Sequence, residues 1–438
     1  MSSSTTTPST AENATPPRRQ GLHRAWLIAL VGFTVITCAG TFTGMPNLLV
    51  NPLHDSFGWS HGTVSLAVSV NTVLYGLTAP FAAALMDRLG VRRVVVGALL
   101  VIAVGACLTT VITAPWQLVL CWGVMVGLGC GSIAMAFGAL IADRWFAARR
   151  GLVTGFLSSA TMFGGMVLLP LLSEITNRSG WRTATLTVTA VAVAVAAVAF
   201  LLLRDHPADL GLAPYGAAQP VPKPAPVPGT VLRALRVLRS VAKPGPFWLV
   251  AGTFAVCGAS TNGVMMAHFV PAAHDAGMSS TTASTLLAVM GAVNVVGTII
   301  AGWCTDRFDP RWLLAGTYAL RGVSLAFLPG LMGPSISPAM VFFTLSFGLL
   351  DLATVPPTIA LCREFFGANS TIVFAWVNAA HQVGAGLATL LAGMARDITG
   401  SYTAVWLGVA ALCGLAAALC VSIRLPRGVL ATTREAGI

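Results

Sequence analysis

The 438-residue chain is 56% hydrophobic and only 9% charged, with a mean hydropathy of +0.81 and a formal net charge of +11. So few charges cannot cover the surface of a soluble domain, while apolar runs repeatedly reach the roughly 20 residues that a helix needs to cross a bilayer. The composition excludes a soluble protein and calls for an all-α polytopic membrane protein; the basic excess, which would suggest nucleic acid in a soluble chain, is read from its placement instead.

Residues 1–24 form a Ser/Thr/Pro-rich tail too poor in apolar side chains to fold, and are expected to be disordered. Arg18-Arg19 resembles a twin-arginine signal, but the apolar run after Trp26 continues to about Val50 without a small-residue cleavage site, which predicts a retained first span. Apolar runs set against charged or Pro/Gly breaks predict twelve spans, near 25–50, 62–85, 92–113, 116–141, 151–173, 183–203, 247–271, 282–304, 312–331, 337–361, 370–394 and 402–423. An even number places both termini on one side. With the N-terminus in the cytoplasm, every one of the 25 Lys and Arg residues is cytoplasmic except Arg178, Arg182, Arg396 and the intramembrane Arg321. The positive-inside rule therefore predicts both termini inside, in the cytoplasmic membrane. The nine cysteines lie in or beside apolar spans and form no CxxC pair, so neither disulfides nor a metal site is expected.

The chain also repeats itself at an offset of about 219 residues. Pro52-Leu53-His54-Asp55 answers Pro271-Ala272-Ala273-His274-Asp275, Trp145-Phe146 answers Phe365-Phe366, and Gly164 answers Gly384. This predicts two pseudo-symmetric six-helix bundles, 25–203 and 247–424, with a cytoplasmic tail at 425–438. The 204–246 linker begins Pro-rich and extended. It then carries Leu232, Leu235 and Leu238 on one helical stripe with Arg233, Arg236 and Arg239 beside it, the pattern of a helix on an anionic leaflet or of a solvated basic helix.

Each half bears one charged turn. Asp87, Arg88, Gly90, Arg92 and Arg93 follow span two; Asp306, Arg307 and Arg311 follow span eight. An Asp at a span end can accept from the free N–H groups of a neighbouring helix, and the Args can meet carbonyls and lipid phosphates, so the pair is expected to act as a conformational latch. Ionisable groups near mid-depth are Arg321, Asp351 and His381. Intramembrane charge is expensive and marks function or pairing: Arg321 and Asp351 lie at matching depth and could pair, Asp351 could carry a proton, and an imidazole such as His381 could bind an anion or relay a proton. Asn71, Tyr75, Asn262, His268, Asn294, Asn378 and Gln382 supply uncharged polar groups, for a site or for interhelical hydrogen bonds. Pro356-Pro357 should interrupt span ten beside Asp351, and Pro46 should weaken span one.

The doubled turn resembles the signature of the major facilitator superfamily, G-x-x-x-D-[RK]-x-G-x-[RK]-[RK], with Ala83 for the first Gly and Asp309 displacing the Gly of the second copy. Arg144-Trp145-Phe146-Ala147-Ala148-Arg149-Arg150-Gly151-Leu152, followed by Gly155 and Gly164, is similar to the entry to span five in the monocarboxylate porter and oxalate/formate antiporter branch. The stretch from His381-Gln382 to Asp397-x-Thr399-Gly400-Ser401-Tyr402 looks like bacterial members of it. The chain departs from that branch where it usually carries a span-eight Arg (here Thr298), an Asp of the animal carriers (here Asn294) and the antiporter Lys of span eleven (His381 is the nearest polar group).

The resemblance implies a secondary active transporter that works by alternating access, moving an organic anion or monocarboxylate-like metabolite with proton coupling or exchange, as a monomer and without cofactor or nucleic acid. Export of a larger amphipathic metabolite and a non-transporting solute sensor are the alternatives. A membrane enzyme would have to rest on His54-Asp55 and His274-Asp275, for which turn or cap roles are simpler.

Overall fold

The computed structural model describes residues 23–217, 219, 221, 230–242, 245–305 and 307–423, with a few helical side chains, including those of Asp87 and Arg150, outside that description. Both tails and the Pro-rich part of the linker thus lie outside it, apart from the residues nearest the spans. Twelve spans follow the order expected. Span one is Arg24–Gly44 continued, after Met45, by Pro46–Phe57, so Pro46 restarts a helix rather than only weakening one. Span two is His61–Leu89 and span three Val91–Thr109. Span four runs from Pro115–Leu118 through the π-helical Val119–Val126 to Gly127–Trp145. Span five is Arg150–Met162 with a π-helical turn at Phe163–Val167. It continues into Leu169–Leu202, which kinks at Gly180 (φ 82°) and becomes span six.

Span seven joins Pro246–Gly258, π-helical Ala259–Met265 and Met266–Asp275. Span eight is Ser280–Thr305, span nine Pro310–Leu331, span eleven Ser370–Thr399 and span twelve Thr403–Ser422. Span ten is broken: Pro338–Asp351 ends, and Val355–Phe366 begins with its two prolines in the first turn, where a missing N–H costs no hydrogen bond. Spans nine and eleven are the least apolar; neither reaches the hydropathy of a lone membrane helix among the described residues, because each carries ionisable or amide groups that face protein.

The two repeats match in space where they match in sequence. A Cβ on Gly164 would overlap the Thr37 carbonyl of span one, and one on Gly384 would overlap the Ala255 carbonyl of span seven. In both halves the fifth span thus lies backbone to backbone on the first, which only glycine allows. Spans two and eleven pack along their whole length, from Gly393 on Ser65 through Gly386 on Ser69 to Phe81 against Trp376. Spans five and eight, and the second segments of spans one and seven, form the other contacts between halves. The linker helix Thr230–Val241 packs on spans two and eleven, with Ala234 and Val237 buried and Trp376 donating to the Ala234 carbonyl at 3.1 Å. Its Leu232 and Leu235 are 61% and 45% exposed beside the exposed Arg233, Arg236 and Arg239.

Candidate functional site: a cavity between the halves and a buried polar cluster beside it

Between the halves lies a small cavity of about 70 Å³, room for about two waters. Thr43 and Pro46 of span one, Asn71, Thr72 and Tyr75 of span two and Thr161 of span five face Asn262, Met266 and Ala267 of span seven and Gln382 of span eleven. The π-helical turn of span seven presents Asn262, and the one in span five brings Gly165 against Met266 and Thr43; such turns widen a helix and commonly mark functional positions. Asn262 Nδ2 donates to Gln382 Oε1 at 3.4 Å, and Asn71 Nδ2 is fixed by the Trp122 carbonyl at 2.8 Å. Four of the residues singled out in sequence, Asn71, Tyr75, Asn262 and Gln382, therefore meet on one wall set. Asn378 is half-buried and does not line the cavity, and His268 is taken up inside the C-terminal half by the Thr389 carbonyl (2.9 Å) and the Tyr402 hydroxyl (3.3 Å).

Behind that wall is a second assembly, held wholly within the C-terminal half. The expected pairing of Arg321 with Asp351 takes another form: Arg321 Nη2 donates to the backbone carbonyls of Leu350 (2.5 Å) and Asp351 (2.6 Å), not to the carboxylate. The reason is the break in span ten. Its first segment ends with unpaired carbonyls and the negative end of a helix dipole, and a guanidinium satisfies both. Arg321 Nη1 reaches Cys257 Sγ and Ser260 Oγ, each at 3.2 Å, and the side chain is 0% exposed. Asp351 instead accepts from Asn294 Nδ2 at 2.8 Å, while Asn294 Oδ1 accepts from the Leu352 N–H at 3.2 Å. Asn294 thus staples the break from span eight. Cys257 also contacts the Thr354 hydroxyl at 3.1 Å. His381 turns away from the cavity into this cluster, 4% exposed, against the Phe254 ring at 4.8 Å, and its buried Nδ1 has no partner.

At the end of the bundle that carries the linker, the side chains of Asp87 and Asp306, the acids of the expected latch, lie outside the described residues. What is described there is a different set of caps. Gly90 takes φ 90°, and Asp205, just beyond span six, accepts from the Arg92 N–H at 2.8 Å at the start of span three. A Cβ on Gly90 would collide with that carboxylate. In the second copy Asp309 caps span nine itself, accepting from the Arg311 N–H (2.9 Å) and its side chain (2.5 Å), and Arg311 Nη1 donates to the Ile423 carbonyl at the end of span twelve (2.9 Å). The Arg311 hydrogen bonds, outweighing partial burial, hold the Asp309 carboxyl below the usual carboxylate range. Arg88 and Arg93 are exposed, and Arg307 lies over the Trp303 ring at 4.1 Å.

The opposite end is closed across the halves. Asp397, at the end of span eleven, accepts from the first N–H groups of span two, His61 at 3.0 Å and Gly62 at 2.7 Å, and meets the His61 ring at 3.1 Å. Asn177 donates to Thr281 at 3.1 Å on the other side of the seam. The two His-Asp pairs are separate and structural: His54 Nδ1 holds the Trp59 carbonyl at 2.6 Å, and Asp275 takes Arg396 at 2.6 Å. The caps by Asp205 and Asp397 were not foreseen from sequence. The signal available was an Asp at each span end, 113 and 336 residues from its partner.

Comparison with known proteins places this architecture. The model of the Major Facilitator Superfamily matches residues 30–272 and 254–437. An "Uncharacterized MFS-type transporter YcxA" of Bacillus subtilis (strain 168) is 26% identical over 385 residues, spanning 86% of this chain and 90% of its own. "Monocarboxylate transporter 13" of Rattus norvegicus is 26% identical over 358 residues, 78% of this chain and 75% of its own. Among solved structures, a D-xylose-proton symporter superposes with a TM-score of 0.68 at 16% identity, covering 92% of this chain and 98% of that one. A bacterial homolog to the human lysosomal transporter Spinster, inward-facing and occupied, gives 0.68 at 15% identity, covering 92% and 97%. Twelve helices in this arrangement and a family match along nearly the whole chain lead to one statement: this is a membrane transporter rather than an enzyme, and it belongs to the Major Facilitator Superfamily.

Proposed function

We propose that the chain is a secondary active transporter of a small organic solute in the cytoplasmic membrane, working as a monomer by alternating access with the linker and both termini on the cytoplasmic side. The observation that carries this is the cavity: polar side chains from both halves converge on it, and the far seam is shut by bonds between the halves. Sliding one half on the other would break those bonds and expose the same side chains to the opposite side. Coupling to protons runs through His381 and Asp351, which with Arg321 are the ionisable groups at mid-depth in the cluster next to the cavity. The names of the mammalian relatives and the organic anion implied by the sequence resemblance agree on a small metabolite. An anion would need a cation in the cavity, and its described lining contains none.

The test is solute flux into proteoliposomes under an imposed pH gradient. Net flux that rises with the gradient in the wild type and loses that dependence in His381→Ala and Asp351→Asn is expected. Saturable solute binding with no flux would favour a sensor, and unchanged coupling in both variants would remove these two side chains from the proton path.

A further inference from the structure

We propose that the solute held in the cavity carries no net negative charge: it is a hydroxyl- or amide-bearing molecule, not a carboxylate anion. The inference rests on the transporter reading and specifies its substrate class. Away from the span ends, the sequence supplies a single Lys or Arg, Arg321. The structure commits that guanidinium elsewhere. It is fully buried, bonded to the two carbonyls at the break in span ten and to Ser260 and Cys257, and it is not part of the cavity wall. Turning it toward a bound anion would strip the end of a helix of its donor, leaving buried carbonyls without partners.

No other fixed cation can replace it at this depth. Gln382 faces the cavity, but its neighbour His381 points into the C-terminal bundle against Phe254. Among the described lining residues, set between the apolar Pro46, Val68, Met266 and Ala267, the polar groups are uncharged amides and hydroxyls, from two asparagines, a glutamine, a tyrosine and three threonines. These donate and accept hydrogen bonds with equal ease, which suits solute hydroxyls and amides. A bare carboxylate moved there would surrender its hydration with no counter-charge in return.

The experiment uses the full chain in proteoliposomes at equal pH on both sides, with protein-free vesicles as control. Radiolabelled pairs of one skeleton are compared (lactamide with lactate, glycolamide with glycolate), together with glycerol and xylitol. The expected result is protein-dependent uptake of at least one uncharged solute, with any matched carboxylate at least about tenfold slower. A carboxylate carried as fast as its amide, or carried when no uncharged solute is, overturns the charge assignment and leaves the transporter reading standing. Flux of no solute at all, also under a pH gradient, would bring down the transporter reading and this inference with it.

Discussion

Replacing Asp397 with Asn should loosen the far seam without unfolding either half. Asp397 belongs to the C-terminal half, and the two N–H groups it accepts from, 3.0 and 2.7 Å away, open span two of the N-terminal half. Those bonds exist only while the seam is closed. A hydrogen bond to a charged group is worth about 1.5–3 kcal/mol net, and a carboxylate at a helix N-terminus adds about 0.3–1 kcal/mol. Asn retains one acceptor oxygen, and the Asp397 side chain is already 26% exposed, so water compensates part of the loss. The closed state should then lose about 1–2 kcal/mol, a shift of roughly 5- to 30-fold toward far-side opening. Spin labels on cysteines introduced at the exposed Asp55 and Thr403, with the exposed Cys107 replaced by Ser, would read the distance across the seam by pulsed electron resonance. A longer-distance population growing in Asp397→Asn is expected. An unchanged distribution, with the variant as stable as wild type, would refute the claim that this cap holds the halves together.

Arg321→Met should cost at least about 3 kcal/mol, because the Leu350 and Asp351 carbonyls would lose their donor and the Asp351 carboxylate its nearby cation. Thermal unfolding of purified protein would show it, and a wild-type melting temperature would contradict the helix-break role. Asp205→Ala removes the carboxylate at the start of span three and should cost about 1 kcal/mol, read as a lower melting temperature with flux retained. Asp309 has its pKa depressed in the folded protein by Arg311, so its stabilisation is complete above the ordinary carboxylate value of about 4 and is lost as pH falls through the depressed value. Melting temperatures recorded from pH 7 downward should converge for wild type and Asp309→Asn at the acid end; a constant gap would count against the linkage.

The parts of this molecule written in local sequence were legible, and those written in long-range geometry were not. Hydropathy located all twelve spans, even spans nine and eleven, because a span's flanking turns and charges remain readable when its own residues are polar. The repeat identified Gly164 and Gly384 as equivalents, and both prove to be close-contact points. Asn71, Tyr75, Asn262 and Gln382 stand out in the sequence as uncharged polar groups within spans and do share the cavity, whereas Asn378 and His381, only three residues apart, do not face it. For His381, next to Gln382, helical phase decides that, and phase needs a known packing direction; Asn378 shares the face of Gln382 but sits one turn away, at another depth. Arg321 and Asp351 were seen to lie at one depth, yet their true relation depends on where span ten breaks, at residues 352–354, which creates the carbonyls that the guanidinium seeks. The Asp397 cap joins helices more than three hundred residues apart, and a single sequence contains no record of that encounter.

Alternating access can be read from the accessibility of the cavity on each side of the membrane. Cysteine placed at Thr72, on the cavity wall, would be probed with a membrane-impermeant thiol reagent added to one face of oriented vesicles at a time. Reaction from one face is expected in the wild type, with a gain of reaction from the far face, at the expense of the first, in Asp397→Asn. Simultaneous access from both faces, or access from neither in either protein, would contradict a pocket that opens to each side in turn.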